Sequence, residues 1–229
     1  MLSATDLEEN PELVASLIDH TNVDPTATRA EIRQLCEEVL EYGFCSAVVV
    51  PYHAELAHDI VGDEANVAAV VGFPYGIQHS DAKRAECRAI SEFVDEFDMV
   101  MDRTAFANGD SDAVVEDVEA VREEVGDATL KCIIESPALS AEATTRAAEL
   151  AEAGGADFVK TAVGYDGPTD PAEVEAIRRG VDANTGVKAS GGIGSFDAAL
   201  EMVRAGATRI GASSGVEIVE SIEDWRATE

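Results

Sequence analysis

Short apolar runs alternate with longer amphipathic ones along nearly the whole chain. Leu17–His20, Cys45–Val50, Val67–Val71, Asp98–Met101, Leu130–Ile134, Phe158–Val163, Val187–Ser190 and Arg209–Ala212 are largely apolar without strict alternation. Strands covered on both faces read this way. The stretches between them carry the helical period. Thr26–Tyr42 places Ile32, Leu35, Val39 and Leu40 on one face, and Gly43 ends it. His53–Val61, Ser80–Glu96, Ser111–Val125, Ser140–Ala153, Pro171–Ala183, Phe196–Ala205 and a segment from Val216 onwards read as further helices. Ser80 and Ser140 are the expected N-caps of theirs, and Pro171 suits a first turn. A leading helix, Leu2–Ser16, weakly capped by Ser3 or Thr5, precedes the first strand.

Eight strand–helix units at this spacing predict a (β/α)8 TIM barrel, an α/β fold, with a short extra N-terminal helix. No shift in composition marks a linker, so residues 1–229 read as a single barrel domain. A doubly wound open sheet is the competing architecture; eight repeats without a GxGxxG fingerprint disfavour it. Asp19, Asp98, Asp102, Glu135, Lys160, Lys188 and Ser213 fall at or near strand ends. Those at C-terminal ends would share the face where barrel active sites lie.

Charge changes the picture of the surface. Acidic residues number 46 against 16 basic ones, and the formal net charge is −30. Apolar content of 46% is nevertheless enough for a folded core. The acid is spread over helical faces such as Glu37–Glu41 and Glu116–Glu124. A general acidic surface suits high ionic strength, where screening is short-ranged, and predicts a halophilic source. It argues against nucleic acid and anionic membranes as partners. Cys36, Cys45, Cys87 and Cys132 lack CxxC spacing and read as reduced core thiols. His20, His53, His58 and His79 form neither an HExxH motif nor a Cys/His cluster, so no metal site is expected. With no signal peptide and no apolar run of spanning length, a cytoplasmic protein is expected.

Only four lysines occur, at 83, 131, 160 and 188. Lys160 lies in an otherwise apolar strand, within GADFVKTAVGY, and Lys188 in the matching stretch GVKASGGIG. An ammonium buried beside a second ammonium loses proton affinity on both counts. The neutral amine can then attack a carbonyl and form a Schiff base. A lysine with a buried stem and a solvated or ion-paired head is the structural alternative; the second lysine and its Gly-Gly turn favour chemistry. On neighbouring strands, Lys160 would be the nucleophile and Lys188 its electrostatic perturber. Asp98 would move protons through a water, or else hold Lys188 in an ion pair. The loops Ser190–Ser195 and Gly211–Gly215 follow the last two strands, where barrels often bind phosphate.

Six segments carry a resemblance in the same order: LIDHT (17–21), VVGFP (70–74), FDMVMD (97–102), GADFVKTAVGY (155–165), GVKASGGI (186–193) and RIGASSG (209–215). Together they resemble the deoxyribose-phosphate aldolase family almost end to end. The resemblance implies a class I aldolase on a (β/α)8 barrel, reversibly cleaving 2-deoxy-D-ribose 5-phosphate to D-glyceraldehyde 3-phosphate and acetaldehyde. It implies no metal or organic cofactor and a homodimer or tetramer. By motif position, the resemblance implies that Lys160 would form the Schiff base, with Lys188 as the second lysine and Asp98 as the proton-relay acid. The same resemblance implies that Gly164, Gly191, Gly192, Gly211, Ser213 and Ser214 would line the phosphate site. Val163 stands where the family usually has a hydroxyl, and Gly194 where it usually has a basic residue. A Schiff-base barrel aldolase or dehydratase acting on another aldehyde or sugar, or a non-catalytic sugar-phosphate-binding barrel, remains the alternative.

Overall fold

A computed structural model describes residues 2–165 and 167–227. Eight parallel strands close into a barrel: β1 (Ile18–Asn22), β2 (Ser46–Val49), β3 (Asn66–Val71), β4 (Glu96–Val100), β5 (Thr129–Ile133), β6 (Phe158–Lys160), β7 (Gly186–Ser190) and β8 (Arg209–Ala212). Each pairs with the next, and β8 returns to β1 through Ile210↔Ile18 and Gly211↔Asp19. Closure leaves no sheet edge.

Strand residues alternate between two environments. The outward set, including Val49, Val71, Met99, Cys132, Val159 and Ala189, packs with the buried faces of the surrounding helices into one large apolar core. The inward set is divided. On one side Val48, Ala68 and Val70 form a small apolar cluster, joined across Phe73 by Val100, Ile133 and Val163. On the other side the interior is filled by charge: Asp19, Glu96, Asp98, Lys131, Lys160 and Lys188 are all at most 4% exposed. Branched aliphatic layers usually fill barrels of this kind.

Most predicted elements stand within a few residues of their places. The helix Ser111–Val125 and the strand Arg209–Ala212 have the predicted bounds. Gly43 ends its helix in the left-handed region at φ 68°, and Ser140 caps its helix by accepting from Ala143 N–H.

Several expectations need correction. The leading helix is broken. Ala4–Glu9, capped by Ser3, is followed by a 3-10 segment, Pro11–Leu17; proline at position 11 cannot donate the hydrogen bond a continuous helix requires. The helix from Ser80 stops at Ile90, and Glu96 opens β4 instead. His79 Nδ1, not Ser80, accepts from Asp81 N–H at 3.3 Å, while Ser80 Oγ donates to Asp117 at 2.8 Å. The regular part of β6 ends at Lys160, although Thr161 N–H still donates to the Lys188 carbonyl at 3.0 Å. The C-terminal helix is two short ones, Gly215–Glu220 and Ile222–Arg226. Asp102, expected at a strand end, caps a short helix, Arg103–Ala107, through Thr104 and Ala105 N–H.

Candidate active site

Register brings the two singled-out lysines side by side. Lys160, the last residue of β6, pairs with Lys188 on β7. Both side chains point into the barrel and meet the same oxygen: each Nζ lies 2.8 Å from Asp98 Oδ2. Asp98 sits in the middle of β4, not at its end, two residues from Glu96 and two from Val100 on the inward face. Its other oxygen accepts from Lys131 Nζ at 2.8 Å. Asp98 is therefore bound by three ammonium groups, and not by Lys188 alone as the sequence suggests.

Lys131 was passed over, although it carries the same signal as Lys160, a lysine within an apolar strand. It also contacts Glu96 and lies 3.8 Å from Asp19 Oδ2. Asp19 bridges Lys188 (2.5 Å) and Arg209 (2.7 Å), and accepts from Ser46 Oγ at 2.8 Å. Glu96 was hidden inside a predicted helix. The period-two order Glu96-Phe97-Asp98-Met99-Val100 marks a strand whose inward face happens to be charged.

These contacts fix the protonation states. Burial alone would raise the Asp98 and Asp19 carboxyls, but the surrounding cations hold both below the ordinary carboxylate range. Burial opposes the charge on Lys131, yet Asp98, Asp19 and Glu96 outweigh it and raise that ammonium above its ordinary value. Lys160 goes the other way. Desolvation lowers it most, Asp98 resists, and Lys188 adds repulsion, bringing it from 10.5 down to about 8. A useful fraction is then the free amine near neutral pH, a carbonyl nucleophile without the aid of a separate base.

Lys160 also opens onto a cavity of about 280 Å³ at the C-terminal mouth. Gly164, Gly191, Gly192, Gly211, Ser213 and Ser214 all line it, together with Thr21, Val163, Tyr165 and Ser190. Every residue expected at a phosphate site thus borders the same space as Lys160. Two of the glycines are demanded by packing. A Cβ on Gly211 would stand 2.2 Å from Ser190 Oγ and 2.9 Å from Lys188 Cε. Gly192, at φ 72°, approaches Pro168 too closely for a side chain. Lys160 is the only cationic side chain among the described residues lining the cavity. An anion there would meet backbone N–H groups and hydroxyls instead of a fixed cation.

The loops around the mouth are cross-linked. Thr161 Oγ1 donates to the Ser190 carbonyl at 3.0 Å and accepts from Ser190 N–H at 2.9 Å. Thr169 Oγ1 donates to the same carbonyl at 2.5 Å. Glu135, in the left-handed region at φ 56°, accepts from Val163 N–H at 3.0 Å and fixes the segment after Lys160. Tyr165 reaches across the mouth, donating to the Val23 carbonyl at 3.2 Å and meeting Phe73 edge-on at 5.6 Å. These positioning residues were not legible beforehand, since only the folded loops bring them together.

Known proteins share this arrangement of chain. The family model described as DeoC/LacD family aldolase matches residues 13–221. A deoxyribose-phosphate aldolase of Thermococcus gammatolerans is 43% identical over 90% of this chain and 95% of its own length. One from Aciduliprofundum boonei is 45% identical over 92% and 97%. Among solved structures, the tetrameric deoxyribose phosphate aldolase of Aeropyrum pernix superposes with a TM-score of 0.88 at 31% identity, covering 97% of this chain and 96% of that one. The chain belongs to the DeoC/LacD family of aldolases.

Proposed function

We propose that the protein is a class I deoxyribose-phosphate aldolase, cleaving 2-deoxy-D-ribose 5-phosphate reversibly to D-glyceraldehyde 3-phosphate and acetaldehyde, with Lys160 as the Schiff-base lysine. The observation that carries the reading is the single lysine that combines a lowered pKa of about 8 with access to the glycine-lined cavity. The neutral Nζ attacks the substrate's aldehyde carbon, and loss of water from the carbinolamine leaves an iminium. The hydroxyl at C3 gives up its proton as the C2–C3 bond breaks. The bonding pair moves to C2 and is absorbed by the iminium as an enamine, while C3 leaves as the new aldehyde. Protonation of C2 and hydrolysis then release acetaldehyde and restore the amine. Asp98 lies behind the cavity and its three ammonium partners make it a weak base, so it takes part through a water and accepts a proton only as a neighbouring ammonium gives one up. The protons of Lys188 hydrogen-bonded to it complete a relay.

The neutral anion end of the cavity bears on substrate choice. Gly164, Gly191, Gly192, Gly211, Ser213 and Ser214 offer hydrogen bonds without a fixed cation, and hydrogen bonds to a charged group contribute about 1.5–3 kcal/mol each. Retained preference for the phosphorylated sugar is expected, and at high salt it changes little because no exposed ion pair is screened. The wider setting belongs to the same proposal: a single-domain cytoplasmic enzyme from a high-salt source, assembled as a homodimer or tetramer. All four lysines are buried, so every described solvent-facing cation is an arginine against a formal charge of −30.

The test is direct. Purified protein in molar potassium chloride is given 2-deoxy-D-ribose with and without the 5-phosphate, and acetaldehyde release is followed. Release from the phosphorylated sugar above the unphosphorylated one supports the reading. Ligand-dependent stabilisation without product would replace it with a sugar-phosphate-binding barrel.

A further inference from the structure

The charged interior does not end at the cavity. It runs the length of the barrel as two rails of alternating sign. One passes from Arg209 Nη1 to Asp19 Oδ1 (2.7 Å), then from Asp19 Oδ2 to Lys188 Nζ (2.5 Å) and on to Asp98 Oδ2 (2.8 Å). The other passes from Arg209 to Glu96 Oε2 (3.5 Å), through Lys131, to Asp98 Oδ1 (2.8 Å). Both converge on Asp98, which holds Lys160. Arg209 and Glu96 are the first residues of β8 and β4, so they lie at the N-terminal end, away from the cavity. Arg209 borders a separate cleft there and packs over the Phe158 ring at 5.4 Å.

We propose that Arg209 and Glu96, at the floor of the barrel, are positioning residues that set the charge carried by Lys160 at its mouth through these rails of ion pairs. The charges in the interior do not balance. Four cations, Arg209, Lys131, Lys188 and Lys160, share three carboxylates, Asp19, Glu96 and Asp98. In a medium that screens little, the neutral arrangement is preferred, and one cation must give up its proton to reach it. Arginine cannot. Lys131 touches two carboxylates and stands near a third; Lys188 touches two; Lys160 touches one. The least compensated ammonium is therefore Lys160, which is also the one facing the cavity. Groups packed around the ends fit this count. Lys160 faces Asp98 from β4, Lys131 from β5 and Lys188 from β7. Arg209 faces Asp19, Glu96 and the Cys45 thiol, whose own pKa burial pushes up to about 11, keeping it neutral.

The count gives predictions of opposite sign. Arg209→Gln removes a cation, balances the remaining set with Lys160 protonated, and raises the Lys160 midpoint. Glu96→Gln removes a carboxylate and lowers it. The Arg209→Gln/Glu96→Gln double variant returns it near the wild-type value, as does Arg209→Lys. A shift of about one unit changes the free-amine fraction below the midpoint about tenfold. The proposal rests on the reactive-lysine reading above, so the readout is independent of turnover: trace acetylation of the full chain with isotope-labelled acetic anhydride across a pH series. Peptide mass spectrometry follows Lys160, and circular dichroism checks each variant for folding. Opposite displacements in the two single variants support the rails. No displacement, or displacement in one common direction, overturns them; should Arg209→Gln fail to fold, the direction in Glu96→Gln decides alone. Wild-type protein with a lowered Lys160 midpoint and no aldol cleavage would instead remove the proposed reaction and leave the rails standing.

Discussion

Lys83 and Lys160 are both lysines buried in this protein, and they differ in what surrounds them. Lys83 lies outside the barrel between two helices, wholly buried, with Nζ 2.6 Å from Asp117 Oδ2 and 2.9 Å from the Val100 carbonyl. One ammonium meets one carboxylate, Ser80 supplies a further hydrogen bond to Asp117, and the pair is closed. Lys160 is 4% exposed and shares its one carboxylate with Lys131 and Lys188. Burial alone therefore does not make a nucleophile. In the proposal made here, burial acts together with a shortage of carboxylate, and the least compensated ammonium is the one that reaches the cavity.

The largest effect expected from this contrast is on Lys160→Ala, which should abolish aldol cleavage while the chain stays folded. Wild-type turnover in that variant, followed by acetaldehyde release, would break the comparison. Lys188→Leu comes next. It removes a repelling neighbour, so the Lys160 midpoint rises above about 8 and the acid limb of the pH–rate profile moves to higher pH. Loss of most activity is expected as well, because Asp98 and Asp19 lose a shared partner. In the unaltered protein the rate of Schiff-base formation should climb as pH rises towards about 8 and then level off. The reactive form is the amine, and its fraction saturates above the midpoint. A rate falling over that range would assign the reactive state to the ammonium. The smallest effect on chemistry is expected at Lys83→Met. Breaking a buried pair costs about 3–5 kcal/mol of stability and leaves Asp117 uncompensated, but the pH–rate profile of the folded fraction should not move. Denaturant unfolding beside kinetics separates the two.

Much of this was readable from the chain because barrel strands repeat. The apolar runs gave all eight strands, and Lys160 and Lys188 were visible as polar residues in runs that exclude them. The glycines and serines after β7 and β8 pointed to the cavity they line. What escaped was whatever depends on inward charge. Glu96 looked like the end of an acidic helix, since no local feature separates a carboxylate facing solvent from one facing Lys131. Lys131 and Arg209 gave the same difficulty from the cationic side. The partners of Asp19, Asp98 and Glu96 are set by closure of β1 onto β8 and by strand register, which bring together residues up to 190 positions apart. Likewise Tyr165 and Val23, or Thr161 and Ser190, meet only once the loops are placed.

Of the four lysines, only Lys160 is proposed for covalent chemistry. The most direct test is borohydride reduction in the presence of acetaldehyde, in molar potassium chloride, followed by peptide mass spectrometry over all four. A reduced two-carbon adduct is expected on Lys160 and on none of Lys83, Lys131 and Lys188. An adduct on Lys188 in its place, or no adduct on protein shown to be folded, would contradict it.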